Sequence, residues 1–519
     1  MEPILYFITE QVGTLYIKMS TEDQNRCVVT AEKGVDVDAL MEDIVSGKSL
    51  GRRVEMWNEK NESERNFDVV LTRDEAELLK QDPRITDVRY GSKQENGIIL
   101  GRNVLDISRN YSRSTTQSNA DYAWAIPACI NSANPFSGTT LNYQHPYVAT
   151  GKGVDSVIMD SGIQIGHPEW KGQDGVTDRL NQINWPAASN LSGSYTQGPQ
   201  HYTDTYGHGT HCAGTMAGRR YGWARESNIY AIKIFDTDAF GVSAAFNMIR
   251  GWHLLKTNGN PTVVNMSWGY FNLYSGITGG NYRGTSWTGT SAQSQYGMVQ
   301  TSYNFSSTYN AYTHPVRVAS VDADIDSCIS AGVILVAAAG NDTHKIDVSG
   351  GLDYNNYVTS GGANRYYHRG STPNGPSGVI TVGSIRSANT EYKSNFSCCG
   401  PGITIFAPGE AIQSAMPLSA TLGSGSVTHP DDSNFYIKKI QGTSMACPQV
   451  AGVLACLLES RRKYTPYDCI NWLRSTATQG RMSDSGTTTY TDTLSLQGAS
   501  NLYLRWPFNG SNPLVVTRV

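Results

Sequence analysis

From Gly153 onward, brief apolar runs alternate with stretches of helical period. Residues 154–159, 229–235, 262–266, 333–339 and 379–382 are short and continuously apolar, as strands buried on both faces are. Between them, residues 208–217, 242–256, 322–331 and 444–460 carry helical patterns. This alternation predicts an α/β fold with a mainly parallel central sheet covered by helices on both faces. In such a sheet a site forms beyond the carboxyl ends of the strands. Two polar stretches, 271–317 and 342–377, are rich in Gly, Tyr, Asn and Ser and read as surface insertions. Residues 97–150 lack periodicity and read as a wrapped, loop-rich segment.

The N-terminal part follows another pattern. Residues 27–33, 54–57, 67–71 and 85–90 read as strands, and Val37–Val45 as a short amphipathic helix. Thr72-Arg73-Asp74-Glu75 has the form of a capping box opening a second helix, which Asp82-Pro83 stops. The order βαββαβ predicts a small α+β sandwich of ferredoxin-like type. A strand-like piece within residues 1–26 has no assigned place.

Charge divides the chain at the same point. Residues 1–96 hold 13 Lys and Arg against 20 Asp and Glu, leaving 28 and 25 of the chain's 41 and 45 for residues 97–519. The acidic first part and the sparsely charged second part predict two domains, 1–96 and 97–519. With a formal net charge of −4, the chain has no basic field for nucleic acid, and no apolar run is long enough for a membrane span. The acid at Glu2 and the short apolar run after it do not match a secretory leader, so localisation stays open. Nine cysteines spread thinly leave room for a few bridges of unassigned pairing; adjacent Cys398 and Cys399 lack the partner pair of a zinc site.

Three local sequences carry chemistry. Asp160 ends the buried run 154–159; His208 opens a helical stretch among small residues; Gly442-Thr443-Ser444 leads into the apolar helix pattern beyond it. A serine at a helix start sits among amides without intrahelical acceptors, where the helix dipole favours an oxyanion. Pro448 adds to this, since it cannot donate to the Ser444 carbonyl four residues earlier. Ser, Thr and Asp are also ordinary helix caps and turn residues. A serine hydroxyl needs a base, and the base needs an orienter; Asp160, His208 and Ser444 are those residue types. His211, three residues after His208, reads as a core histidine and no metal site is assigned. Cys212 shares a helix face with His208.

These motifs resemble the subtilases, the subtilisin-like serine peptidases, and within them the proteinase K-like branch. Asp160-Ser161-Gly162-Ile163 with His167-Pro168-Glu169 is similar to the family's aspartate motif. Gly207–Gly214 is similar to its histidine motif, and Gly442–Pro448 to its serine motif with Cys447 in place of the usual threonine. The chain order Asp, His, Ser is that of subtilisin. The resemblance implies a subtilisin-like three-layer fold and a serine endopeptidase acting on proteins or peptides through an acyl-enzyme on Ser444. It implies that Asn341, in Val336–Asn341, joins the Ser444 amide in an oxyanion hole. Ser267, Trp268 and Gly269 would bind substrate opposite Ala338, Ala339 and Gly340. No cofactor is required; calcium is common in the family, but no loop here singles out its ligands. Residues 67–90 resemble the inhibitor I9-type propeptide, implying a self-processing zymogen whose propeptide is its own inhibitor, cut between Gly91 and Arg102. The rival reading is a virion or surface structural component built on the same fold.

Overall fold

The structure, a computed structural model, describes residues 26–31, 35–54, 56–58, 66–90, 124–131, 149–274, 277–289, 312–418, 420–486 and 492–508. The strand-like piece within residues 1–26 and the expected processing region between Gly91 and Arg102 lie outside the described residues, Arg26 apart. The chain divides into two compact units, Met1–Leu105 with Val515–Val519, and Asp106–Leu514.

The first unit is a βαββαβ sandwich. Its strands Arg26–Ala31, Met56–Asn58, Asn66–Val70 and Ile85–Tyr90 form one antiparallel sheet with Asn66–Val70 and Arg26–Ala31 in the middle. Helices Val37–Val45 and Arg73–Leu79 supply Leu40, Ile44 and Leu79 to a core with Val29 and Val69. The capping box forms: the Thr72 hydroxyl accepts from Glu75 N, and the Glu75 carboxylate accepts from Thr72 N.

The second unit is built on strands β1 (Asp155–Asp160), β2 (Asn228–Lys233), β3 (Thr262–Met266), β4 (Ile334–Ala338), β5 (Ile380–Ile385) and β6 (Ile405–Pro408). They run parallel in the order β2-β1-β3-β4-β5-β6, and Leu502–Tyr503 extends the sheet beyond β6. Helices α1 (His208–Ala217), α2 (Val242–Leu255), α3 (Ala319–Ser330) and α4 (Thr443–Leu458) cover it. Side chains alternate across the strands, as the two-residue period requires. Ile158, Val263, Val336 and Val382 join α1 and α4 in one core, while Val157, Val264, Leu335 and Ala337 join α2 and α3 in another. The architecture is therefore three layers, helix on sheet on helix.

Helix α4 is apolar on every side and buried almost throughout, which suits a helix sealed between sheet and neighbouring helices. It lies close against α1: a Cβ on Gly452 would come within 2.6 Å of the Met216 carbonyl oxygen. Among the described residues, no helix is long and apolar enough to cross a membrane.

The structure refines three of these readings. The loop-rich segment 97–150 contains a buried helix, Ala125–Asn131, preceded by Trp124, whose indole donates to the Glu410 carbonyl. The two polar insertions form one sheet together: Ile277–Tyr282 of the first pairs with Tyr357–Ser360 of the second, flanked by Thr285–Thr288 and Ala363–Tyr366. The Asp353 carboxylate of the second insertion accepts from Arg283 of the first, which joins the two, and also from Lys345. All nine cysteines are buried free thiols, so no disulfide contributes.

The amino end of β1 rests on a buried ion pair. Asp155 accepts from Lys256 Nζ at 2.7 Å and from the side chains of Asn228 and Asn260, with both charged side chains nearly shut off from water. Removing one partner strands the other charge. Asp155→Ala is expected to cost about 3–5 kcal/mol of stability, read as a lowered midpoint in chemical denaturation.

Candidate active site

The strand order reverses at β1, since β2 lies on one side of it and β3 on the other. A crevice at the carboxyl ends of the strands is expected at such a switch point. Asp160 closes β1 there, Ser267–Gly269 follow β3 directly, and Ala338–Asn341 end and follow β4.

The Asp160 carboxylate is buried and brackets His208 Nδ1, which lies 2.8 Å from one oxygen and 3.0 Å from the other. An ionised carboxylate only accepts, so Nδ1 carries a proton, and in the neutral ring Nε2 holds the lone pair. The Ser161 amide donates to Asp160 Oδ1 and holds that carboxylate in place. Burial works against a charged imidazole at His208, yet the Asp160 charge and hydrogen bond outweigh it and hold its pKa well above 6.5.

What places His208 there is Asp204, a residue sequence reasoning missed. Gly207, at φ +95°, precedes α1 and offers no side-chain cap. Asp204 takes that part: its carboxylate accepts from Gly207 N, Thr210 N and the Thr210 hydroxyl. It also accepts from the Ser161 hydroxyl, which in turn accepts from Gly209 N. The loop after Asp160 and the start of α1 are thereby one hydrogen-bonded unit. Gly209 lets them approach, since a Cβ there would lie 2.2 Å from the Gly162 carbonyl oxygen. An acid four residues before a helix-opening histidine is the only trace of this in the sequence.

Ser444 is the second residue of α4, whose N-cap Gly442 has φ +153°. The proline effect is visible. The Ser444 carbonyl, which Pro448 cannot satisfy, accepts instead from the Ser267 hydroxyl at 2.9 Å and the Cys212 thiol at 3.5 Å. The Ser444 hydroxyl donates to the Ser267 carbonyl at 3.0 Å. Cys212 Sγ lies 3.9 Å from His208 Nδ1 and so stands between the histidine helix and the serine helix.

Asn341 is held by its oxygen. Oδ1 accepts from both the amide and the hydroxyl of Thr443, at 2.9 Å each. Because the amide of Thr443 can only donate, this fixes which end of the Asn341 side chain is oxygen. The nitrogen, without a hydrogen-bond partner among the described residues, lies 3.4 Å from where a Cβ on Gly442 would sit. It is a free donor beside Ser444.

The expected substrate-binding residues divide. Ser267 spends its hydroxyl and its carbonyl on Ser444. Trp268 turns its indole toward the sheet, donating to the Met159 carbonyl and packing near Phe246 and Tyr270. The Ala338 and Ala339 carbonyls both accept from the Asn374 side chain. Gly269 and Gly340 stay without side chains between these anchored segments. His211 is buried, its Nε2 facing the carbonyls of Ile412 and Lys438, and burial holds its pKa at about 3. Asn265, which carries a glycosylation sequon, is fully buried. The Cys447 thiol donates to the Val336 carbonyl at 3.3 Å and packs beneath α4.

Residues 151–499 match the subtilase family of peptidase S8. Subtilisin-like protease 1 of Pseudogymnoascus destructans is 30% identical over 338 residues, which are 65% of this chain and 59% of that protein. The chain thus spans under two thirds of that relative's length. The cuticle-degrading protease of Metarhizium anisopliae is 26% identical over 428 residues, covering 81% of this chain and 78% of its own. Among solved structures, a cold adapted subtilisin-like serine proteinase matches 74% of this chain and 98% of its own, at 21% identity and a TM-score of 0.45. With a match over 349 of 519 residues, the chain belongs to the subtilase family.

Proposed function

We propose that the protein is a serine endopeptidase that cleaves peptide bonds in proteins through an acyl-enzyme on Ser444. The observation that carries this is the Asp160 carboxylate bracketing His208 Nδ1, with the Cys212 thiol 3.9 Å from that nitrogen and 3.5 Å from the Ser444 carbonyl. In this reading the Ser444 hydroxyl turns from the Ser267 carbonyl to His208, gives up its proton and attacks the substrate carbonyl. Asp160 stabilises the imidazolium that forms. The oxyanion is received by the Ser444 amide, in the first turn of α4, and by the free Asn341 nitrogen. His208 then gives its proton to the leaving amine. An extended substrate adds as a strand between the segment after β3 and the end of β4. The chemistry needs no cofactor. The acidic βαββαβ unit acts as the propeptide, blocking the enzyme until Ser444 cuts the linking segment.

Ser444→Ala is expected to lower turnover of a denatured protein substrate on the order of 10⁶-fold and to abolish fluorophosphonate labelling. The same variant should retain Met1 as its N-terminus where the active protein does not; active wild-type protein beginning at Met1 would refute self-processing. Asn341→Ala should lower kcat by roughly 10²–10³-fold with little change in KM, since the donor meets charge only in the transition state.

The rate also has a predictable pH limb. His208 acts as base only when neutral, and its pKa stands above 6.5. Activity should therefore rise with pH through a limb above pH 6.5, not below it. In Asp160→Asn the attraction is gone and burial acts alone, so the imidazole titration followed by NMR should move to lower pH.

A further inference from the structure

The pocket between the two substrate segments holds a ring that the family pattern did not announce. A Cβ on Gly269 would lie 3.2 Å from Phe271 Cε2 and 3.7 Å from its Cζ. A Cβ on Gly340, from the opposite segment, would lie 3.5 Å from the same Cζ. One edge of the phenyl ring therefore reaches the contact range of both glycines. The Ser371 hydroxyl stands 2.7 Å from the Gly269 position and the Cys398 thiol 3.0 Å from the Gly340 position, narrowing the same slot.

The ring cannot simply withdraw with its backbone. Phe271 opens the strand Phe271–Tyr274, which pairs with Tyr312–Pro315 of the same insertion, Phe271 opposite Pro315. Just before it, Tyr270 N donates to the Thr372 carbonyl at 2.9 Å, and the Tyr270 carbonyl accepts from Val316 N at 2.9 Å. Thr372 N closes the set by donating to the Val316 carbonyl. Both polar backbone groups of the preceding residue are thus fixed, and the ring, half-buried, stays at the slot.

We propose that Phe271 closes the pocket for the side chain preceding the scissile bond and restricts it to small residues such as glycine, alanine and serine. This rests on the reading that Ser267–Gly269 and Ala338–Gly340 flank the substrate. A slot already holding an aromatic edge has no room for a second large side chain, and forcing one in displaces packed atoms.

The test uses two fluorogenic peptides that differ only in having Ala or Phe before the cut. The wild-type kcat/KM should favour Ala by at least about tenfold, the size of effect that pocket volume alone sustains. Phe271→Ala should shift that ratio toward Phe by at least about tenfold, with Phe271→Leu falling between. Each ratio is internal to one protein, so partial loss of folded material does not move it. A wild-type enzyme that prefers Phe, or a ratio unmoved by both substitutions, overturns the proposal. The peptidase reading is judged separately by Ser444→Ala, which should hydrolyse neither peptide whatever the ratio.

Discussion

The site depends on one carbonyl that its own helix cannot satisfy. Pro448 has no N–H to offer Ser444, and a buried carbonyl left unpaired costs about 1–3 kcal/mol. The Ser267 hydroxyl and the Cys212 thiol fill that vacancy. Each comes from a different element, the segment after β3 and helix α1. Helix α4, which carries Ser444, is thus pinned to the segment after β3 and to α1, which carries His208. Ser267 is itself oriented, its hydroxyl accepting from the Asn265 side chain at 3.0 Å. A defect in helical bonding becomes the joint between three functional segments.

The second joint, at Asp204, does for His208 what the first does for Ser444. A charged cap on a helix start favours the helix through its dipole and satisfies amides that would otherwise be orphaned. The Ser161 hydroxyl donates to the same carboxylate and accepts from Gly209 N, so the residue after Asp160 is tied to the residue after His208 through side-chain hydrogen bonds. The side chains of the pair are placed by their main chains, as a short bond of fixed direction requires.

How far the sequence could be read follows from where its signals are local. The parallel strands and their helices were readable because burial on both faces writes continuous apolar runs. Helix 444–460 was expected and runs Thr443–Leu458; helix 322–331 runs Ala319–Ser330, starting earlier because Val318 and Ala319 carry no starting signal. Strand Ile405–Pro408 and the sheet of Ile412–Met416 with Asp432–Ile440 were not read, the latter because its long strand is mostly polar and half-exposed. Asp160, His208 and Ser444 could be chosen because each stands at the end of a readable element. Asp204 lies in a polar loop among Thr203, Thr205 and Tyr206, where nothing local separates a cap from a solvated acid. The work of Ser267 was invisible for another reason: its partner is 177 residues away in the chain.

The insertions show the same limit in a more instructive form. Their Gly, Asn, Tyr and Ser read as surface, yet Ile277, Val358 and Tyr367 are buried together and segments more than seventy residues apart are paired. Once paired, the insertions are also joined through Arg283 and Asp353, and Tyr270 is tied to Val316 of the first and Thr372 of the second. Phe271 is the first residue that belongs to the insertion and also touches the space between Gly269 and Gly340. Asp160, His208 and Ser444 are carried by β1, α1 and α4. The second insertion also reaches the end of β4, since Asn374 donates to the Ala338 and Ala339 carbonyls.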